Sequence, residues 1–118
     1  MRSNLVDIAR LKHMLEAIDS VETYLTGVSY EDFLNHSMMR FACIKQIEIV
    51  GEASVHLSTE TKSNCSIVEW QKIKGMRNVF VHEYFGIDPR ILWEIATEDL
   101  PELKTQLSAI VQELDSKK

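Results

Sequence analysis

Residues 37–58 read SMMRFACIKQIEIVGEASVHLS. Wound at 100° per residue, apolar or small side chains surround most of this stretch, and only Lys45, Glu48, Glu52 and His56 form a narrow polar stripe. A helix that is apolar over so much of its circumference needs cover on several sides, at the centre of a bundle or in a subunit interface. The stripe itself has two readings. It is either solvated, ion-paired surface or the lining of a cleft.

Helical signals extend outward in both directions, with no sustained strand-like alternation. A first helix is expected over residues 4–26, with Ile8, Leu11, Leu15, Ile18 and Leu25 at threes and fours and Gly27 as its stop. Ser29 and Asp32 have the spacing of a capping box that opens a short helical piece through Phe33 and Leu34. Residues 59–66 are polar and read as a loop. Ser66 and Glu69 form a second capping-box pattern at the head of a helix over 67–85, for which Gly86 is a stop signal. Asp88-Pro89 marks another start, and Pro101 interrupts or restarts a last element carrying Leu103, Leu107, Ile110 and Leu114. The expected fold is all-α, an antiparallel bundle of four to five helices within a single domain over residues 1–118.

Composition excludes several classes. Of 118 residues, 45% are hydrophobic and 26% charged, the balance of a globular chain rather than a disordered one. No stretch approaches the roughly 18 apolar residues of a membrane span, and the opening Met1-Arg2-Ser3-Asn4 lacks the apolar run of a signal peptide. Cys43 and Cys65 lack paired spacing and read as reduced thiols. A soluble, cytoplasmic protein with no membrane partner is therefore expected. His13, His36 and His56 do not have metal-ligand spacing, and no glycine-rich phosphate loop is present, so no metal and no cofactor are expected. The net charge of −5 argues against a nonspecific nucleic-acid coat. Around residues 69–90, however, Lys72, Lys74, Arg77 and Arg90 outnumber Glu69, Glu83 and Asp88.

Chemistry concentrates in Arg77-Asn78-Val79-Phe80-Val81-His82-Glu83-Tyr84. Arginine is a permanent forked cation matched to phosphate oxygens, and histidine exchanges a proton near neutral pH. Trp70, Ile73, Met76, Phe80 and Val81 fall on one side of the expected helix, and Gln71, Lys74, Gly75, Asn78 and His82 on the other. Arg77 and Tyr84 lie inside the apolar sector. A guanidinium there needs a partner such as Glu48 or Glu52, a ligand, or a second subunit. Five positions of an ideal helix rotate about 140°, so Arg77 and His82 diverge unless the helix ends or bends, or two copies of the segment meet.

These residues resemble the HEPN signature, an Arg-x4-His with a polar Asn directly after the Arg. The longer string Ile73-Lys74-Gly75-Met76-Arg77-Asn78, His82-x-Tyr84, Ile87-Asp88 and Trp93 resembles its HepT-like branch. Residues 42–53, with Glu48-Ile49-Val50-Gly51-Glu52-Ala53, are similar to that branch's central helix, Lys45 standing where the family often has Arg. The resemblance implies a metal-independent, homodimeric ribonuclease acting as the toxin of a type VII-like toxin-antitoxin pair. It also implies a minimal nucleotidyltransferase as partner, which silences the toxin by transferring AMP to the motif tyrosine, here Tyr84.

On that reading RNA is the substrate, Arg77 and His82 are catalytic, Asn78 supports them, and Glu48 or Glu52 partners Arg77 or lines the cleft. Two rivals stand beside it. One is a non-catalytic helical module that presents substrate or nucleotide to a partner nucleotidyltransferase; the other is a plain helical dimer with a paired arginine.

Overall fold

The computed structural model describes residues 2–82 and 88–117, and for residues 2, 3 and 78–82 the backbone alone. Every regular element among them is helical: α1 (Arg2–Tyr24), α2 (Tyr30–Leu34), α3 (Ser37–Val55), α4 (Thr59–Asn64), α5 (Trp70–His82), α6 (Pro89–Glu94), a π-helical turn at Ile95–Asp99, and α7 (Leu100–Ser116). The all-α bundle expected from the sequence is what forms.

Four long helices make the body, and polar ties fix their directions. Gln46 of α3 donates to the Tyr24 hydroxyl at the end of α1, while Asp7 near the start of α1 meets Ser58 just beyond α3. The two helices are thus antiparallel. Lys104, in the first turns of α7, donates to Glu22 at 2.6 Å and pairs with Asp19 at 3.0 Å, so α7 runs antiparallel to α1 as well. The layer between them is apolar. Leu11, Met14, Ile18 and Val21 of α1 meet Cys43, Ile47 and Val50 of α3 and Leu100 and Leu107 of α7, all fully buried. Each such aliphatic side chain contributes roughly 1.5–3 kcal/mol relative to exposure. Burial also pushes the Cys43 thiol up to about 11, which leaves it protonated and unreactive at neutral pH.

Local signals set most boundaries. Gly27 has φ +73° and ends the first helix as expected. The Ser29–Asp32 capping box forms in both directions, at 3.1 and 3.3 Å. Asp88 caps α6 by accepting from the Arg90 amide at 2.9 Å, with Pro89 inside the first turn. Pro101 lacks an amide proton and crowds the carbonyl four residues back. The helix answers by widening, and the Leu100 amide donates five residues back to Ile95.

Two expectations need correction. Residues 59–64 are helix α4, not loop: Ser58 caps it by accepting from the Thr61 amide, and the buried Asp7 carboxylate accepts from the Ser58 amide, the Ser58 hydroxyl and the Thr61 hydroxyl. A carboxylate with three donors is satisfied, and it staples the start of α1 to the α3–α4 corner. The motif helix begins at Trp70 rather than at 67, and the Ser66–Glu69 box does not form; the Trp70 indole instead donates to the Cys65 carbonyl at 3.1 Å. Part of the apolar circumference of α3 has no cover among the described residues of the single chain. Met38 is 78% exposed and Phe41 62% exposed. Among the described residues no helix is long and apolar enough to cross a membrane.

Candidate functional site

The site is built where α5 crosses α3. Gly51 has no side chain, and the α5 backbone occupies the space: a Cβ added there would lie 2.6 Å from the Arg77 nitrogen, 3.0 Å from the Ile73 oxygen and 3.1 Å from the Arg77 Cβ. This close approach sets Arg77 directly beside the polar stripe of α3. Its Nη1 donates to Glu52 Oε2 at 3.3 Å. The guanidinium side chain is 30% exposed, so it sits at the rim of the helix pair rather than in the core, and the cost of burying a bare cation does not arise.

Glu52 is the observed partner of Arg77. Glu48, the other expected candidate, is half-buried in the wall of the same cleft and makes no ion pair with it. Glu52 also meets His56: Oε1 lies 3.3 Å from the His56 Nε2 while Oε2 faces Arg77. The stripe is therefore ion-paired and cleft-lining at once. Lys45, Glu48, Ile49, Glu52 and Arg77 line an open cleft of about 260 Å³. Glu48 and Glu52 stand between Lys45 and Arg77 along this wall, and the Glu52 carboxylate gives Arg77 a fixed direction while the cleft stays open. Glu52 is 58% exposed, so the pair stabilises folding by no more than about 0–1 kcal/mol. Its role is orientation.

Asn78 and His82 continue along α5, His82 five positions beyond Arg77 in the last described turn; their backbones are helical. Tyr84 and the expected stop at Gly86 lie outside the described residues, as does Glu83. Among the described residues no group of three His, Cys, Asp or Glu side chains is placed to hold a metal ion.

The HepT-like ribonuclease family model matches residues 14–110, a span that contains α3, the Gly51 crossing and the whole Arg77–His82 motif. The chain belongs to the HepT-like ribonuclease family. Curated relatives agree over most of their length. "Putative RNase MJ1380" of Methanocaldococcus jannaschii is 35% identical over 102 residues, 86% of this chain and 94% of its own. "Putative RNase TTE0752" of Caldanaerobacter subterraneus subsp. tengcongensis is 37% identical over 102 residues, 86% of this chain and 91% of its own. "Probable ribonuclease HepT" of Thermococcus cleftensis is 37% identical over 94 residues, 80% of this chain and 86% of its own. No solved structure matches the chain.

In this HepT-like chain two residues gain roles that sequence reading did not assign. Gly51 was visible only as part of a motif string; its function is the close crossing that places Arg77. His36 is the N-cap of α3, its Nδ1 accepting from the Met39 amide at 3.1 Å. The Ser-like spacing from His36 to Met39 was the available signal, although histidine is an uncommon cap. Of the cations around the motif, Lys72 pairs with Asp99 at 3.7 Å on the side of α5 that faces α7, away from the α3 cleft.

Proposed function

We propose that this protein is a metal-independent ribonuclease and the toxin of a type VII-like toxin-antitoxin pair, acting in the cytoplasm on RNA. The observation that carries the proposal is Arg77, held by Glu52 at the mouth of an open cleft on the helix that also bears His82. The ribose 2′-oxygen attacks the adjacent phosphorus, and the bond from phosphorus to the 5′-oxygen breaks. A 2′,3′-cyclic phosphate and a free 5′-hydroxyl result. His82 takes the proton from the 2′-hydroxyl or returns one to the leaving oxygen. Arg77 stabilises the charge that gathers on the nonbridging oxygens, and Asn78 orients His82 or a phosphate. Purified protein incubated with total RNA in EDTA tests this beside an Arg77→Ala/His82→Ala variant. Cleavage by the parent alone is expected; equal silence from both would favour the non-catalytic binding module.

The working unit in this proposal is a homodimer. Supporting it, Met38 and Phe41 are exposed on the same face of α3 as Lys45, Glu48 and Glu52, so the apolar patch is continuous with the cleft wall. A second copy would cover the patch and bring two motif helices to one cleft. Light scattering at micromolar concentration should give twice the chain mass, and a fully active monomer would contradict the assignment.

Tyr84 is the proposed switch, modified by a minimal nucleotidyltransferase antitoxin. AMP on the tyrosine hydroxyl brings a phosphodiester anion and a purine two residues past His82, opposing RNA by charge and by bulk. Incubation with that partner and ATP should add AMP at Tyr84 by peptide mass spectrometry and stop cleavage without unfolding. A Tyr84→Phe variant that is still modified and silenced would refute this role.

A further inference from the structure

Several cations of these helices are already engaged. Lys104 sits between Asp19 and Glu22, Lys117 meets Glu113, and the Arg40 guanidinium donates to the Phe33 and Leu34 carbonyls. Arg90 is different. Its guanidinium carbon lies 4.7 Å above the centre of the Tyr30 ring, and it has no carboxylate within ion-pairing distance among the described residues. The Asp88 carboxylate beside it accepts from the Arg90 backbone amide, and among the described residues no acceptor engages the guanidinium itself.

The ring beneath is braced. Tyr30 meets Trp93 edge-on at 5.7 Å, and Trp93 packs at 5.0 Å against Phe33, which is fully buried. Tyr30 and Trp93 are half-buried while Arg90 is exposed, so the stack presents its cationic layer outward on a rigid base. Chain connectivity puts this stack near the motif. Six residue steps separate His82 from Asp88, which limits the Cα separation to roughly 20 Å even for an extended link.

We infer that Arg90 on Tyr30 is an accessory docking platform for single-stranded RNA, where an unpaired base next to the cleavage site stacks on the outer face of the guanidinium. The inference rests on the ribonuclease reading and names a substrate contact for it. A guanidinium is planar, weakly hydrated and stacks on aromatic faces, and bases of single-stranded RNA are commonly held on arginine planes. Because Tyr30 already restrains the Arg90 side chain, less rotamer freedom is lost when the base arrives. The forked N–H groups of a guanidinium can also meet the phosphate of the same nucleotide. The platform accepts any base, since each has a π-face, and so adds affinity with little sequence preference.

The test uses single-stranded RNA oligonucleotides with one abasic nucleotide walked across the positions flanking the cleavage site, with cleavage kinetics and anisotropy binding measured in parallel. Arg90→Ala should raise KM about tenfold, the scale of one lost base stack, with kcat within about twofold. Arg90→Lys should lose most of the same affinity, because an ammonium keeps the charge without the flat face. Tyr30→Leu should follow Arg90→Ala, and Tyr30→Phe should follow the parent. At one position the abasic substrate should cost the parent about tenfold and cost Arg90→Ala nothing further. An unchanged KM in Arg90→Ala, or abasic and Arg90 effects that multiply at every position, overturns the platform while leaving the nuclease intact. A parent that neither cleaves nor binds the oligonucleotides overturns the ribonuclease reading and the platform with it.

Discussion

Arg77→Ala is expected to lower the rate of RNA cleavage about 10²–10³-fold, the usual scale for removing one preorganised donor to a developing anion. His82→Ala is expected to cost about 10²–10⁴-fold, the range of a positioned general acid or base. Folding should hardly register the first change. The Arg77 side chain is 30% exposed, and its partner Glu52 is 58% exposed, so the lost ion pair is worth about 0–1 kcal/mol in urea unfolding. Activity and stability therefore separate. Arg77→Lys sharpens the argument, because an ammonium keeps the charge but loses the fork that matches two phosphate oxygens, and it should fall between parent and Ala. Circular dichroism and urea titration run beside the kinetics complete the measurement. A large loss of stability with nuclease activity retained would remove Arg77 from the chemistry and make it a structural residue.

The sequence disclosed the helices because their signals are local. Gly27, the Ser29–Asp32 box and Asp88-Pro89 each act within a few residues, and each works as read. It also offered Glu52 as a partner for Arg77, although the reason given, a cation buried in an apolar sector, gives way to a guanidinium at the rim that Glu52 orients. What it hid is set by distant parts of the chain. Helix α4 depends on Asp7, 51 residues before Ser58 and 54 before Thr61, so residues 59–66 alone look merely polar. The choice between Glu48 and Glu52 depends on the rotation of α3 under α5, which no periodicity within either helix specifies. Exposure of Met38 and Phe41 follows the same logic: the wheel shows that they are apolar but not which neighbour is present to cover them.

Gly51 offers the test in which the sign of the effect decides. In the middle of α3 an ordinary glycine would be improved by alanine, since alanine favours the helix by roughly 0.8–1 kcal/mol. Here the added methyl would meet the Arg77 backbone nitrogen at 2.6 Å and the Ile73 carbonyl at 3.0 Å, neighbours that are main chain and cannot rotate aside. Helix α5 would have to recede by roughly 0.8 Å to restore ordinary contact. Overpacking of this kind costs about 1–3 kcal/mol, and Gly51→Ala should therefore destabilise despite its better helix propensity. The same displacement carries Arg77 away from the cleft wall, and a shift near 1 Å at a reacting centre can cost about 10²-fold in rate. Gly75, on α5 with nothing among the described residues within 4 Å of an added Cβ, supplies the control: Gly75→Ala should be neutral or stabilise by about 0.5–1 kcal/mol. Urea unfolding of both variants, with cleavage assays on Gly51→Ala, reads the difference. If Gly51→Ala is as stable as Gly75→Ala and fully active, the close helix crossing does not position Arg77.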